Sequence, residues 1–379
     1  ATDWYIDQMK RRAYESSPIP SQMEHAQYAF GVRDYIRYEN LLDSIRWDIN
    51  DFVDWVASDN PRTKYRNLIT QSGGDTSDYP ENALETVFYP TNKIRLPVNK
   101  ENVIKSGLVK EKDSDLILDY IDIDLPESII TKNQIMMLDI LANNNWERPI
   151  YFTGGSYEES EYIWMKDYLQ LDGLVYKLVP IKTSIENNPY EMGRIDSDLM
   201  YDIVKKWSWG NSESDEIYHD PETRKNSISF RGNLSRLSEK LISEGEYEKA
   251  EEILDLAFSK MPIDYYGYYS LWTPLVKSYY DIGKSEKVKE IVQKLSFKYS
   301  DRLSYFSSLE IFNQYDVGEE IISDIERFRN LIETIQESGE REILADQIKS
   351  FISSSEQFNY IYGEYDYYIS LSNFLVSLL

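Results

Sequence analysis

The sequence predicts an α/β (α+β) layer domain followed by an all-α domain of repeated helical hairpins, and three observations predict it. The chain has 379 residues, too many for one small core and enough for two domains. Up to about residue 182, short β-like runs alternate with helices and are punctuated by proline and glycine. From Ser227 onward glycine and proline become sparse and apolar residues recur at helical spacing. The predicted divisions are 1–182 for the α/β domain, 183–225 for a turn-rich connector with one helix, and 226–379 for the helical domain.

Thr2 or Asp3 stands as an N-cap before an amphipathic stretch over residues 4–14. The chain therefore starts at a helix, with Ala1 rather than methionine in front and no signal-type segment, which predicts an excised fragment or a processed product. Leu42, Ile45, Ile49, Phe52, Val53 and Val56 have helical spacing and predict a helix over 41–57, stopped by Asn60-Pro61. Residues 71–80, with Gly73-Gly74, read as a loop, and 86–89 and 93–98 as strands. Over 116–125 Ile117, Asp119, Ile121 and Ile123 interleave with Leu118, Tyr120, Asp122 and Asp124, a strand ending in acidic residues. Thr131 and Gln134 form a capping-box pattern ahead of a helix over 135–143. Ile150-Tyr151-Phe152 reads as a short buried strand, followed by Thr153-Gly154-Gly155-Ser156, a helix over 158–171 and a strand over 174–181. That order is a βαβ-type alternation. One helix, 197–207, lies in the connector.

Leu234, Leu237, Leu241, Gly245, Tyr247, Ala250, Ile253, Leu254, Ala257 and Pro262 follow the spacing of a tetratricopeptide hairpin, with Gly245 at the turn and Ala250 small enough for close helix contact. Leu275, Tyr279, Gly283, Val288, Ile291, Val292 and Leu295 form a second unit. Gly245 and Gly283 are 38 residues apart, above the ~34 of the ideal repeat, so residues 263–269 lengthen the link. Residues 320–335, 342–353 and 365–379 are helical without a repeat phase and read as a cap.

Net charge is −25, which argues against nucleic acid and anionic lipid as partners because both need a basic face. Lys10-Arg11-Arg12 is the densest basic run, and a solvated helix face accounts for it. The absence of cysteine excludes disulfides, thiolate zinc sites and thiol nucleophiles. His25 and His219 are the only histidines, too few for a multi-histidine metal site. No apolar run approaches the ~20 residues that span a bilayer. The sequence predicts a soluble chain with no membrane insertion of its own, no cofactor and no metal.

Thr153, Gly154, Gly155 and Ser156, between a strand and a helix, are a weak candidate for an anion or sugar-phosphate cradle. The P-loop lysine is missing, and an ordinary tight turn is the plainer reading. Asp113, Asp115, Asp119, Asp122 and Asp124 suggest calcium, but the glycine and closing glutamate of a calcium loop are absent and a solvated strand face suffices. With 66 acidic residues, no particular carboxylate pair can be nominated for glycosidase chemistry, and no Gly-x-Ser-x-Gly elbow accompanies the histidines. Trp207, Trp209, Tyr265, Tyr266, Tyr268 and Trp272 are the candidate partner-binding aromatics, able to stack on sugar rings or grip a peptide. Filling of hairpin cores competes for the same residues.

Thr2 to Lys10 (TDWYIDQMK), residues 51–61, Leu96-Pro97-Val98, residues 143–152 (NNNWERPIYF), residues 168–181 (YLQLDGLVYKLVPI), Gly193-Arg194, Trp209-Gly210-Asn211 and residues 230–233 together resemble the C-terminal region of a Bacteroidetes family of multi-pass membrane proteins. That family is similar to protein O-mannosyltransferases of the GT-C fold. The resemblance covers residues 1 to about 300. It implies a membrane-embedded transferase using a lipid-linked sugar, with its acidic catalytic residues in an early extracytoplasmic loop upstream of Ala1, so no catalytic residue carries over to this chain. It also implies a periplasmic location and an α/β domain that lacks one strand. The expected role is a non-catalytic module that positions an acceptor protein or glycoprotein, or the catalytic loops of its own parent chain. The alternative is a periplasmic protein-binding scaffold.

Overall fold

The structure is a computed structural model and describes residues 2–11, 17–42, 44–153, 163–183, 192–267 and 269–362. The chain divides into two compact units, Ala1–Arg194 and Ile195–Leu379. The first is α/β with small sheets and the second is helical. Their border lies between the two divisions read from the sequence at 182 and 225. Arg194 belongs with the strands, because its N–H bonds the Leu169 carbonyl at 2.9 Å and its carbonyl accepts from Leu171 N–H at 2.8 Å.

In the first unit the order is α1 (Asp3–Arg11), α2 (His25–Tyr28), β1 (Tyr35–Tyr38), β2 (Trp47–Asp48), α3 (Ile49–Ala57), α4 (Tyr65–Gln71), α5 (Glu81–Leu84), β3 (Phe88–Tyr89), β4 (Lys93–Pro97), α6 (Lys100–Lys105), β5 (Tyr120–Asp124), β6 (Ile129–Thr131), α7 (Lys132–Asn144), β7 (Tyr151–Thr153), β8 (Leu169–Asp172) and β9 (Val175–Leu178). Three three-stranded sheets result, ordered β3-β1-β6, β2-β4-β5 and β7-β9-β8. The β1–β3 and β2–β4 pairs are parallel, and the other pairs are antiparallel. Along β4 and β5, Ile94, Leu96, Ile121 and Ile123 point inward onto α3, where Phe52, Val53 and Val56 are fully buried. The capping box at Thr131 and Gln134 opens α7, and Asn145 in the left-handed region (φ 45°) closes it.

Several sequence expectations are corrected here. The helix expected over 41–57 is only Ile49–Ala57, because Asp48 caps it by accepting from Asn50 N–H and Trp47–Asp48 pair with β4 instead. Leu41 and Ile45 are exposed. The strand expected over 116–125 starts at Tyr120, after a 3₁₀ turn over Glu111–Leu116. The strand at 150–152 is not buried but half-exposed and lies at a sheet edge. Of the helix expected over 158–171, residues 158–162 lie outside the described residues, and Ile163–Tyr168 form a 3₁₀ helix and Leu169–Asp172 form β8 instead. The β7-β9-β8 sheet is wholly antiparallel, so the βαβ alternation is absent there. Gly173 (φ 72°) opens the two-residue β8–β9 turn, the conformation that favours glycine.

The second unit comprises α8 (Ser197–Val204), α9 (Pro221–Ser243), α10 (Tyr247–Lys260), α11 (Thr273–Asp281), α12 (Ser285–Ser307), α13 (Ile311–Asp316), α14 (Gly318–Ser338), α15 (Arg341–Ser355) and α16 (Asn359–Tyr362). Helix α9 begins six residues before Ser227, at Pro221, with Asp220 accepting from the amides of Glu222 and Thr223. The α9–α10 and α11–α12 turns fall at Gly245 and Gly283, as the sequence indicates. At each, two bonds complete a Schellman closure: Glu246 N–H to Leu241 O and Gly245 N–H to Ile242 O, then Lys284 N–H to Tyr279 O and Gly283 N–H to Tyr280 O. The α14–α15 pair turns at Gly339 (φ 80°), which makes a hairpin of the unphased stretches at 320–335 and 342–353, while the helix expected over 365–379 lies outside the described residues. Leu234, Leu237, Ala250, Leu254, Leu275, Val292 and Phe328 are fully buried along the seam of successive helices.

Candidate functional site

An open groove of the helical unit is built where α8 ends. Asp196 caps α8 by accepting from Leu199 N–H at 3.1 Å, and the helix stops after Val204. Trp207 and Trp209 then precede a turn whose Gly210 (φ 57°) and Asn211 (φ 61°) are both left-handed. Both indoles are half-buried. They meet edge to face at 5.5 Å, and Phe230 of α9 closes the cluster at 5.3 Å from Trp207 and 5.7 Å from Trp209. The cleft they line holds about 480 Å³ and is bordered by Lys205, Asn211, Glu213 and Lys260. Its charges are already matched. Lys205 pairs with Glu252 at 2.9 Å and Lys260 pairs with Glu213. The Tyr201 hydroxyl and then Lys205 hold the Glu252 carboxyl below its ordinary range, and Lys260 does the same for Glu213. The groove thus offers two aromatic surfaces and neutralised polar rims, chemistry suited to an apolar or ring-bearing segment rather than to acid–base work.

The other aromatic candidates occupy different environments. Trp272 is fully buried, stacked on Phe258 at 4.7 Å with the Arg231 guanidinium 4.7 Å from its ring. Tyr266 is buried too, with its hydroxyl donating to the Ser212 carbonyl at 2.9 Å, and burial pushes its pKa up. These two fill the core, the role that competed for them in the sequence. Tyr265 is half-buried and stacks on His219 at 5.5 Å and 16°. Tyr268 lies outside the described residues.

Thr153 ends β7 opposite Val175. Gly154, Gly155 and Ser156 lie outside the described residues, so the candidate anion cradle does too. Four of the five aspartates of the acidic stretch are met by cations: Arg194 lies 2.9 Å from Asp113, Lys100 2.8 Å from Asp119, Arg95 2.7 Å from Asp122 and Arg46 2.8 Å from Asp124. Among the described residues no group of three His, Cys, Asp or Glu side chains is placed to hold a metal ion.

Sequence reasoning missed one cavity, in the first unit. Tyr35 and Arg37 stand on one face of β1, Tyr65 opens α4, and Tyr79-Pro80 precede α5; together with Asn82 they line a cleft of about 250 Å³. The walls are tied together. Tyr65 N–H donates to the Thr86 carbonyl at 3.0 Å, Lys64 bridges to Val87, and Arg66 joins α4 to Glu81 and Glu85. Its residues come from three separated segments, so no local spacing announces it.

Among the described residues no helix is long and apolar enough to cross a membrane. No curated protein and no solved structure matches the chain. A family model described as TMEM260-associated domain 2 matches residues 1–199, which takes in the whole first unit and the start of α8. That match spans more than half of the sequence, and the chain belongs to the TMEM260-associated domain 2 family.

Proposed function

We propose that this chain is a non-catalytic, extracytoplasmic module of a membrane-embedded, protein O-mannosyltransferase-like glycosyltransferase, on the periplasmic side of a bacterial inner membrane, where it positions an acceptor protein or the catalytic loops. The observation that carries the reading is the family match, which attaches the chain to an associated domain of a TMEM260-type protein. The sequence resemblance to O-mannosyltransferase-like membrane proteins points the same way. The tetratricopeptide-like hairpins supply the kind of extended surface on which such modules grip protein segments. Trp207 and Trp209 supply the anchoring rings, since a few aromatics provide most of the energy at such surfaces. The partner segment is neutral or basic, because a chain at −25 repels acidic ones.

The test is sugar transfer by the isolated chain, incubated with polyprenyl-phosphate mannose and a mixed periplasmic protein acceptor. No transfer is expected, and turnover refutes the module reading. A protein-binding scaffold without transferase role is the second reading, favoured by the matched charges around the tryptophan groove. It predicts that proteins captured by wild type and lost by Trp207→Ala/Trp209→Ala carry no O-linked sugar.

A further inference from the structure

We infer that the tyrosine-walled cleft of the first unit is a binding site for one neutral sugar ring, such as a terminal hexopyranose of a glycan. Tyr35 and Tyr79 are about half exposed, 49% and 50%, and line a cavity of about 250 Å³ whose third aromatic wall is Tyr65. That volume lies just under the ~300 Å³ at which drug-sized pockets begin, so it suits a single ring and not an extended ligand. Four polar groups line it without a hydrogen bond or ion pair to any described residue: the Tyr35 and Tyr79 hydroxyls, the Asn82 amide and the Arg37 guanidinium.

A pyranose matches this set on both counts. Its C–H faces stack on phenol rings, and its vicinal hydroxyls take paired donors from a guanidinium and both donor and acceptor from an amide. An anion fits less well. Among the described residues Arg37 is the only cation lining the cleft, the Tyr65 hydroxyl that shares the wall is donated to the carboxylate of Glu39, and the chain as a whole is strongly negative. The tethers joining α4 to α5 and to the segment before β3 hold the walls in place without ligand, so little ordering opposes binding. The site does not depend on the proposed transferase role, since it concerns a ligand of the first unit alone.

The experiment is saturation-transfer difference NMR on the 379-residue chain with methyl α-glucopyranoside, methyl α-galactopyranoside and methyl α-mannopyranoside, at several salt concentrations. Expected is transfer from the protein to the ring protons of at least one of them, with a dissociation constant on the order of 1 mM that salt does not change. Tyr79→Ala and Arg37→Ala should each weaken it by roughly five-fold, the fold-change an aromatic or paired polar contact is worth. Both side chains are exposed, so circular dichroism should stay that of wild type. Tyr218→Ala, an exposed tyrosine of the other unit, should bind like wild type. No transfer to any of the three overturns the proposal, as does binding that Tyr79→Ala leaves intact. Salt-sensitive binding of methyl glucuronide without the neutral glycosides overturns the neutral ligand, and Tyr79-dependent binding of a proline-rich decapeptide in their place overturns the sugar.

Discussion

Gly232→Ala and Gly245→Ala are the same chemical change with opposite expected signs. A Cβ added at either glycine meets no atom within 4 Å, so neither substitution is decided by packing. Gly232 lies inside α9 with ordinary helical backbone. Alanine there removes freedom from the unfolded chain and should stabilise by about 0.5–1 kcal/mol. Gly245 closes the Schellman turn at φ 81°, where an L side chain costs about 1–2 kcal/mol. Part of that is offset by the same unfolded-state effect, so the net should be a loss of about 1 kcal/mol. For a unit of this size each kcal/mol moves the melting temperature by roughly 2–4 °C. The two sites are about 20 Å apart along the helix, beyond the range of coupling, so the double variant should fall near wild type. Far-ultraviolet circular dichroism through thermal and urea unfolding reads all three. A Gly245→Ala variant as stable as Gly232→Ala would refute the left-handed turn, and with it the hairpin register.

Ala250, fully buried where α10 meets α9, should not accept tryptophan: Ala250→Trp should cost on the order of 1–3 kcal/mol or more, read as a lowered urea midpoint. Asp324 is fully buried between the guanidinium groups of Arg302 and Arg327. Asp324→Asn leaves those charges facing each other and should cost on the order of 3 kcal/mol, with the double variant Asp324→Asn/Arg302→Gln recovering part of the loss. Burial, and then its hydrogen bond to Asp7, push the Tyr28 hydroxyl up to about 12. The unfolded chain then loses that proton near pH 10 while the folded one keeps it, so stability should fall as pH rises from about 10 to 12. Tyr280 titrates in the same sense, so Tyr28→Phe should make alkaline unfolding shallower without removing it. A chelator should leave the melting temperature unchanged, given the cation partners of Asp113, Asp119, Asp122 and Asp124; a drop restored by calcium would contradict that pairing.

What the sequence made legible was local. The Thr131–Gln134 capping box, the alternation over Ile121 and Ile123, and the glycines at 245 and 283 each specify a conformation through neighbours within a few residues, and each appears in the fold. Two other local signals act in the same way. Asp220-Pro221 is an N-cap followed by the proline of a first helical turn, and it starts α9. Asp172-Gly173 between two β-like runs is a hairpin signal, and it turns β8 into β9. Residues 158–171 misled for a different reason. Leu169, Gln170, Leu171 and Asp172 are all buried, so the strand shows no alternation, and a strand buried on both faces cannot be told from a helix by period alone.

The sites were less legible because their parts are distant in sequence. Trp207 and Trp209 are two residues apart, but Phe230, which packs against both rings, and Leu256 and Lys260, which line their groove, come from much later in the chain. Tyr265, Tyr266 and Trp272 look alike in sequence, yet Tyr266 and Trp272 are core while Tyr265 is half-exposed on His219. Composition gives them one prior, and burial separates them. The acidic stretch shows the same limit from the other side. Five aspartates within twelve residues resemble a cation site until strand register sets Arg95 opposite Asp122 and brings Arg46 to Asp124. A charge pattern along a chain states only one half of each pair. The fold supplies the other half, and in this chain it pairs the aspartates of the acidic strand with cations while Arg37, with no ion pair to a described residue, lines a tyrosine cleft.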